Sequence, residues 1–91
     1  MGYLLIDKET WMLCNDGKLR RKPLFGTEPE CARFYRNLGW AKKKATKMGL
    51  FIVEIPSKHQ LDITGTISKN VNGKWEVVGK INKLAASPEN V

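Results

Sequence analysis

The sequence predicts an α+β domain: an antiparallel sheet of five or six strands with one main amphipathic helix, at about residues 28–48, packed on one face. Two observations lead to this fold class. Short apolar runs separated by turn residues occur on both sides of a single long stretch. That long stretch has helical rather than strand periodicity. The chain length suits one domain, which we assign to residues 1–82, with residues 83–91 as a flexible tail.

The first third of the chain predicts a hairpin followed by a basic segment. Residues 3–7 and 10–14 are apolar runs of strand length, joined by a short turn. Residues 15–17 (Asn-Asp-Gly) form a strong turn signal, because these residue types tolerate a positive φ. The next segment, residues 18–22, has Leu19 as its one apolar side chain, so it is either an edge strand or a basic loop.

Residues 27–49 carry the signals of one helix at both ends. Thr27 suits the N-cap position, and Glu30 can reach back to the Thr27 amide to close a capping box. Gly49 supplies a left-handed stop at the C-terminal end. Apolar residues recur between these ends at steps of three and four, which defines a stripe facing the core. The stripe consists of Cys31, Phe34, Leu38, Ala41, Ala45 and Met48.

Gly39 leaves two courses open for this helix, because a glycine inside a helix costs about 1 kcal/mol relative to alanine. In the first, the helix continues through Gly39 and displays Trp40 on its polar face. In the second, the helix stops at Gly39, Trp40 folds back onto the core, and a second short helix covers residues 41–48. The unbroken apolar stripe favours the first course, and the usual burial of tryptophan favours the second.

The second half of the chain predicts a central strand and a hairpin. Residues 51–55 (FIVEI) are apolar on both faces except at the glutamate, which favours a position inside the sheet. Residues 61–69 and 74–81 alternate apolar and polar side chains, and Asn72 and Gly73 between them suit a type I′ turn. Two glycines mark positions for a bulge or bend in this hairpin, Gly65 and Gly79.

The net charge of +7 is concentrated in the middle of the chain. Residues 17–50 carry a net charge of +8, whereas the remainder carries −1. A localised positive field of this kind attracts polyanions. The apolar runs are much shorter than the roughly 18 residues of a membrane span, and the N-terminus lacks the pattern of a signal peptide. We therefore expect a cytoplasmic protein that does not contact a membrane.

The residue types that perform catalysis or bind metals are too sparse to predict an active site. His59 is the single histidine, and it lies in a polar connection without a nucleophile at a motif spacing. Cys14 and Cys31 lack the paired spacing of zinc or redox sites, so we expect two buried thiols. We predict no enzyme, no catalytic residue, no metal and no cofactor.

The helix face opposite the apolar stripe combines cations with a tryptophan, which favours nucleic-acid binding. Cations pair with phosphates, and an exposed aromatic ring stacks on bases. The residues that we predict on this face are Arg33, Arg36, Trp40, Lys43, Lys44 and Lys47. The segment before the helix extends the surface if it lies alongside, through Arg20, Arg21 and Lys22. A solvated helix face with Trp40 in the core explains the same sequence without a ligand.

Two alternative functions use the same chain differently. A protein-interaction module would dock on the acidic surface of a partner, with arginine and tryptophan as anchors, and its binding would survive moderate salt. A structural or oligomeric protein would pair its edge strands with copies of itself. We expect a monomer or a weak dimer.

The order of several segments resembles that of a group of phage proteins. YLLIDKET and LCNDGKL, then FGTEPECARFY and AKKKATKMG, then FIVEIP resemble the hairpin, capped helix and apolar strand of many small accessory proteins of tailed bacteriophages. The resemblance covers residues 3–56 and leaves out the hairpin at residues 63–81. It implies a phage-encoded protein that binds a host protein or nucleic acid in the bacterial cytoplasm, and it carries over no functional residue.

Overall fold

The computed structural model of the protein describes residues 2–9, 11–55 and 62–84, and the side chains of these except at 62–64 and 81–84. The elements in chain order are β1 (Gly2–Ile6), β2 (Met12–Leu13), β3 (Leu19–Arg20), α1 (Leu38–Met48), β4 (Phe51–Ile55), β5 (Asp62–Val71) and β6 (Lys74–Leu84). The strands form one antiparallel sheet in the order β3-β2-β1-β4-β5-β6. The predicted α+β class, with a helix packed on an antiparallel sheet, is confirmed.

The first hairpin forms where the sequence predicts it. β1 pairs with β2 at Ile6 and Met12. The carboxylate of Asp7 holds the turn, because its Oδ1 accepts hydrogen bonds from the amides of Glu9 and Trp11 at 2.9 and 2.8 Å. β3 pairs with β2 at one edge of the described sheet. Of the two alternatives for residues 18–22, the edge strand is therefore correct and the basic loop is wrong.

The second half of the sheet also follows the sequence prediction. β4 lies between β1 and β5, so its central position is confirmed. Asn72 and Gly73 have φ values of 53° and 87°, as a type I′ turn requires, and the Gly73 amide donates to Asn70 Oδ1 at 2.8 Å. The register of the hairpin shifts between Ile67 and Ser68, so β6 carries one extra residue next to Gly79.

The sheet is covered on both faces, and each face has its own core cluster. On one face, α1 contributes the buried Ala41 and Ala45. The rest of that buried cluster is Leu5, Leu13, Leu50 and Ile52, with Tyr3, Leu19, Tyr35 and Trp75 packed against it. The opposite cluster consists of Leu4, Ile6, Met12, Ala32, Val53 and Ile55, with Phe25, Phe34, Phe51 and Ile67 packed against it.

The helix is shorter than predicted. It begins after Asn37, whose side-chain Oδ1 accepts a hydrogen bond from the Trp40 amide at 3.1 Å, and it ends at Gly49, which has a φ of 68°. The C-terminal stop is confirmed, but the start near residue 28 with Thr27 as the N-cap is wrong. The helix continues through Gly39 and leaves Trp40 63% exposed, so the alternative with a buried Trp40 is also wrong.

In place of the first half of the predicted helix, residues 32–35 are extended, pair with the sheet through backbone hydrogen bonds, and place Ala32 and Phe34 on its second face. Ala32 forms bridges with Cys14 and Phe25, and Tyr35 forms one with Tyr3. The ring of Phe34 lies so close to β1 that a Cβ at residue 2 would overlap it. Because β1 and β4 are apolar on both faces, one helix cannot bury them, and this non-local requirement overrides the local helix signals.

β6 runs to Leu84, two residues past the end that we predict for the domain. The connection that contains His59, and residues 85–91 of the predicted tail, lie outside the described residues.

The position of the helix start can be tested by substitution at the two candidate caps. We expect Asn37→Ala to lower the free energy of unfolding by about 1 kcal/mol, because the Trp40 amide loses its acceptor. Thr27→Ala is the matched control, and we expect it to change that free energy by less than about 0.5 kcal/mol, because Thr27 is exposed outside the helix. Urea unfolding of both variants measures the difference, and a larger effect at Thr27 would contradict the assigned start.

Candidate functional site

A cleft of about 280 Å³ opens between α1 and the extended segment before it. We call it the basic cleft. Its lining consists of Arg33, Tyr35, Trp40, Lys43, Lys44 and Lys47. Four of these described side chains are cationic, two are aromatic and none is acidic. An open cavity with this lining attracts anions and offers apolar ring surface to a flat ligand.

The packing of α1 determines which of its side chains face the basic cleft. Ala41 and Ala45 are fully buried against the sheet, and they fix the rotation of the helix about its axis. At about 100° per residue, Trp40, Lys44 and Lys47 then fall together on one flank of this buried stripe. Lys44 is half-buried there, whereas Trp40 and Lys47 are exposed.

The extended segment forms the opposite wall of the basic cleft with every second side chain, Arg33 and Tyr35. The Arg33 amide donates to the Leu13 carbonyl at 2.9 Å, and Tyr35 exchanges two backbone hydrogen bonds with Tyr3, at 2.7 and 2.9 Å. Ala32 packs in the cluster on the far face of the sheet, so the alternation turns Arg33 and Tyr35 toward the helix side. Both walls are therefore anchored by backbone contacts to the sheet or by buried side chains.

Two cation–π contacts hold charges over the rings of the basic cleft. The guanidinium carbon of Arg33 lies 5.1 Å from the centre of the Tyr35 ring, and Lys43 Nζ lies 5.5 Å from that of Trp40. Such contacts contribute about 0.5–1 kcal/mol at exposed sites. They keep cations and aromatic surface side by side, which is how a nucleotide presents its phosphate and its base.

The structure brings together five of the nine residues that the sequence analysis selected: Arg33, Trp40, Lys43, Lys44 and Lys47. Arg36 lies elsewhere and lines a separate cavity of about 260 Å³ together with Phe25 and Phe34. Helical spacing would have kept Arg36 beside Arg33. The backbone is not helical at these residues, so that part of the predicted face is wrong.

The basic segment around β3 does not extend the basic cleft. Leu19 packs in the helix-side cluster, so its neighbour Arg20 faces the other side of the sheet. The Arg20 guanidinium binds the Asp16 carboxylate through two hydrogen bonds of 2.9 and 2.7 Å and lowers the pKa of Asp16 to about 2. Arg21 and Lys22 are exposed in the connection after β3, and neither is among the described residues lining the cleft.

Tyr35 lines the basic cleft but is absent from the predicted site. Its signal is in the sequence, because residues 32–35 alternate as apolar, charged, apolar and aromatic, which is the pattern of an extended segment. Because residues 27–49 are predicted as one helix, this alternation does not enter the prediction of the site.

Both cysteines are buried and free, as predicted. The Cys31 thiol donates a hydrogen bond to Glu28 Oε2 at 3.4 Å, and burial together with this carboxylate raises the pKa of Cys31. Its thiol is therefore neutral at pH 7. Among residues 2–9, 11–55 and 62–84, no group of three or more His, Cys, Asp and Glu side chains is placed to hold a metal ion.

Comparison of the chain with models of protein families, with curated protein sequences and with solved structures gave no match. None of the helices in the described part of the chain combines the length and the apolar character needed to cross a membrane. The geometry and charge of the basic cleft therefore carry the functional interpretation.

Proposed function

We propose that the protein binds nucleic acid through the basic cleft and catalyses no reaction on it. One observation carries the proposal: four cations and two aromatic rings converge on one open cavity, and the Trp40 ring at its mouth is 63% exposed. The exposed part of this ring contributes nothing to hydrophobic stabilisation of the fold. It is, however, available to stack on a base.

The charges of the chain support the same ligand class. Residues 17–50 carry a net charge of +8, and the acidic groups within that range are Glu28 and Glu30. The Glu28 carboxylate already accepts hydrogen bonds from its own amide and from the Cys31 thiol, which lower its pKa. The field of the four cleft cations is thus not cancelled by a carboxylate in the lining, and it favours association with a phosphate backbone.

A salt titration of binding tests the proposal. If the four cations contact four phosphates, the logarithm of the association constant for a single strand falls with the logarithm of the salt concentration with a slope of about −3. Fluorescence anisotropy of labelled DNA and RNA oligonucleotides measures this slope. An absence of binding to either polymer at low salt would reject the proposal.

A protein partner with an acidic surface is the second candidate for the same cleft. Arg33 and Trp40 belong to the residue types that dominate protein interfaces, and Trp40 is exposed. This candidate requires an interface whose affinity depends on shape and survives moderate salt. In either case we propose that the protein acts in the cytoplasm, which is that of a bacterial host if the resemblance to phage accessory proteins holds.

A further inference from the structure

We infer that the basic cleft selects single-stranded over double-stranded nucleic acid and holds one unpaired base against the Trp40 ring. This inference rests on the proposed function and specifies its ligand. Three observations carry it: the shape of the cleft, the exposure of Trp40, and the position of the cations around that ring.

The cations line an open concavity between two segments, and Arg33, Lys43 and Lys47 are exposed along it. A helix that reads duplex DNA enters the major groove, which is about 12 Å wide, and presents its charged side chains outward. The charged flank of α1 instead faces the segment that carries Arg33 and Tyr35. A cavity of about 280 Å³ lies just below the roughly 300–1,000 Å³ typical of small-ligand pockets. A cleft of this size matches a single base or nucleotide better than a stack of base pairs.

The Trp40 ring is positioned to receive that base. It belongs to the first turn of α1, where its own amide donates to Asn37, so its backbone is fixed while its side chain remains 63% exposed. Lys43 Nζ lies over one face of the ring, 5.5 Å from its centre, so the base stacks on the other face and the ammonium pairs with an adjacent phosphate. Bases inside a duplex have their faces covered by neighbouring pairs, whereas a single strand presents them freely.

The opposite wall supplies a second phosphate contact. Arg33 is held over the Tyr35 ring at 5.1 Å, and its guanidinium can pair with a phosphate through two parallel hydrogen bonds. The Tyr35 backbone is bound on both sides to Tyr3, which keeps this wall in place. A strand that crosses the cleft thus meets Lys43 on one wall and Arg33 on the other, with the base between the flanking phosphates.

The experiment compares three labelled ligands of equal length at one low salt concentration: a DNA single strand, its duplex, and a strand of abasic sugar-phosphate units. The expected result is that the single strand binds at least tenfold more tightly than both the duplex and the abasic strand. The comparison uses the unmodified protein, so it does not depend on how any variant folds.

Two matched variants then locate the base contact. Trp40→Leu is expected to weaken binding of the single strand by about 5- to 150-fold, the effect of losing one aromatic stack, and to leave binding of the abasic strand unchanged. Trp11→Leu is the control, because Trp11 is also exposed, at 39%, but lies in the turn between β1 and β2. It is expected to leave both affinities unchanged.

The outcomes separate this inference from the proposed function. Equal binding of single strand and duplex, a preference for the duplex, or equal binding of the intact and abasic strands would overturn the inference while nucleic-acid binding stands. A Trp40→Leu variant that binds the single strand as tightly as the unmodified protein would also overturn it. An absence of binding to all three ligands would reject the proposed function itself.

Discussion

Replacing Lys43, Lys44 and Lys47 together by glutamate is expected to abolish nucleic-acid binding, with a loss of at least about 100-fold in affinity, and to leave the fold intact. The substitutions remove three of the four cations of the basic cleft and place three carboxylates against the phosphates. Juxtaposed like charges cost several kcal/mol in an interface. None of the three lysines belongs to either core cluster, so the secondary structure and thermal unfolding should change little.

A charge-matched control separates the basic cleft from the net charge. The triple variant Lys22→Glu, Lys74→Glu and Lys80→Glu changes the net charge by the same amount, and all three lysines are exposed outside the described lining of the cleft. It is expected to bind with a loss of less than about tenfold at moderate salt, because none of these lysines lines the cleft and salt screens exposed charges that do not contact the ligand. Equal losses in both variants would mean that affinity follows net charge alone. Unfolding of the cleft variant would instead show that the assignment of helix faces is wrong.

Much of the sheet is predictable because its signals are local. Asn72 and Gly73 determine the second hairpin through the φ values that a type I′ turn needs, and these values do not depend on the rest of the chain. The apolar character of residues 51–55 on both faces likewise requires neighbours on both sides, which leads directly to the central position of β4.

The start of the helix is not predictable from residues 27–37, because it depends on the need to bury residues of β1 and β4, which are distant in the sequence. Cys31 and Phe34 fit a helical stripe and are indeed at least partly buried, but each lies in a segment that is not helical. The requirement comes from Leu4 and Ile6 in β1 and from the same face of β4, which need apolar side chains packed against them on the face opposite the helix. A run of consecutive apolar residues in β1 signals this need, but it does not say which segment will meet it.

The candidate site also combines residues that local spacing predicts with residues whose position depends on distant parts of the chain. Helical spacing predicts Trp40, Lys43 and Lys47 on one face. They lie within α1, and all three line the basic cleft. Arg33 lines the same cleft, but from an extended backbone, so the helical spacing that predicts it there is not the reason for its position. Arg20 could not be placed from sequence, because the face of a two-residue strand depends on which neighbour is buried.

Gly65→Ala is expected to lower the free energy of unfolding by about 1–3 kcal/mol, the usual range for forcing extra volume into a packed site. A Cβ at residue 65 would overlap the carbonyl oxygen of Glu54 and approach the Val53 side chain. Backbone atoms of a central strand cannot turn aside as a flexible side chain does, so β5 must shift relative to β4. The sequence predicts a bulge or bend at Gly65. In the structure, the absence of a side chain at Gly65 instead allows β5 to approach β4 closely.

Gly79→Ala provides the matched control for this argument. Gly79 lies on β6 opposite Ile67, in the same hairpin, and a Cβ there meets no described atom within 4 Å. Its substitution should therefore change stability by less than about 0.5 kcal/mol. Urea unfolding curves of the two variants measure the contrast as a shift in the midpoint at constant slope. If both alanines are tolerated equally, Glu54 does not lie against residue 65, and the register that joins the C-terminal hairpin to β4 must differ from the one described.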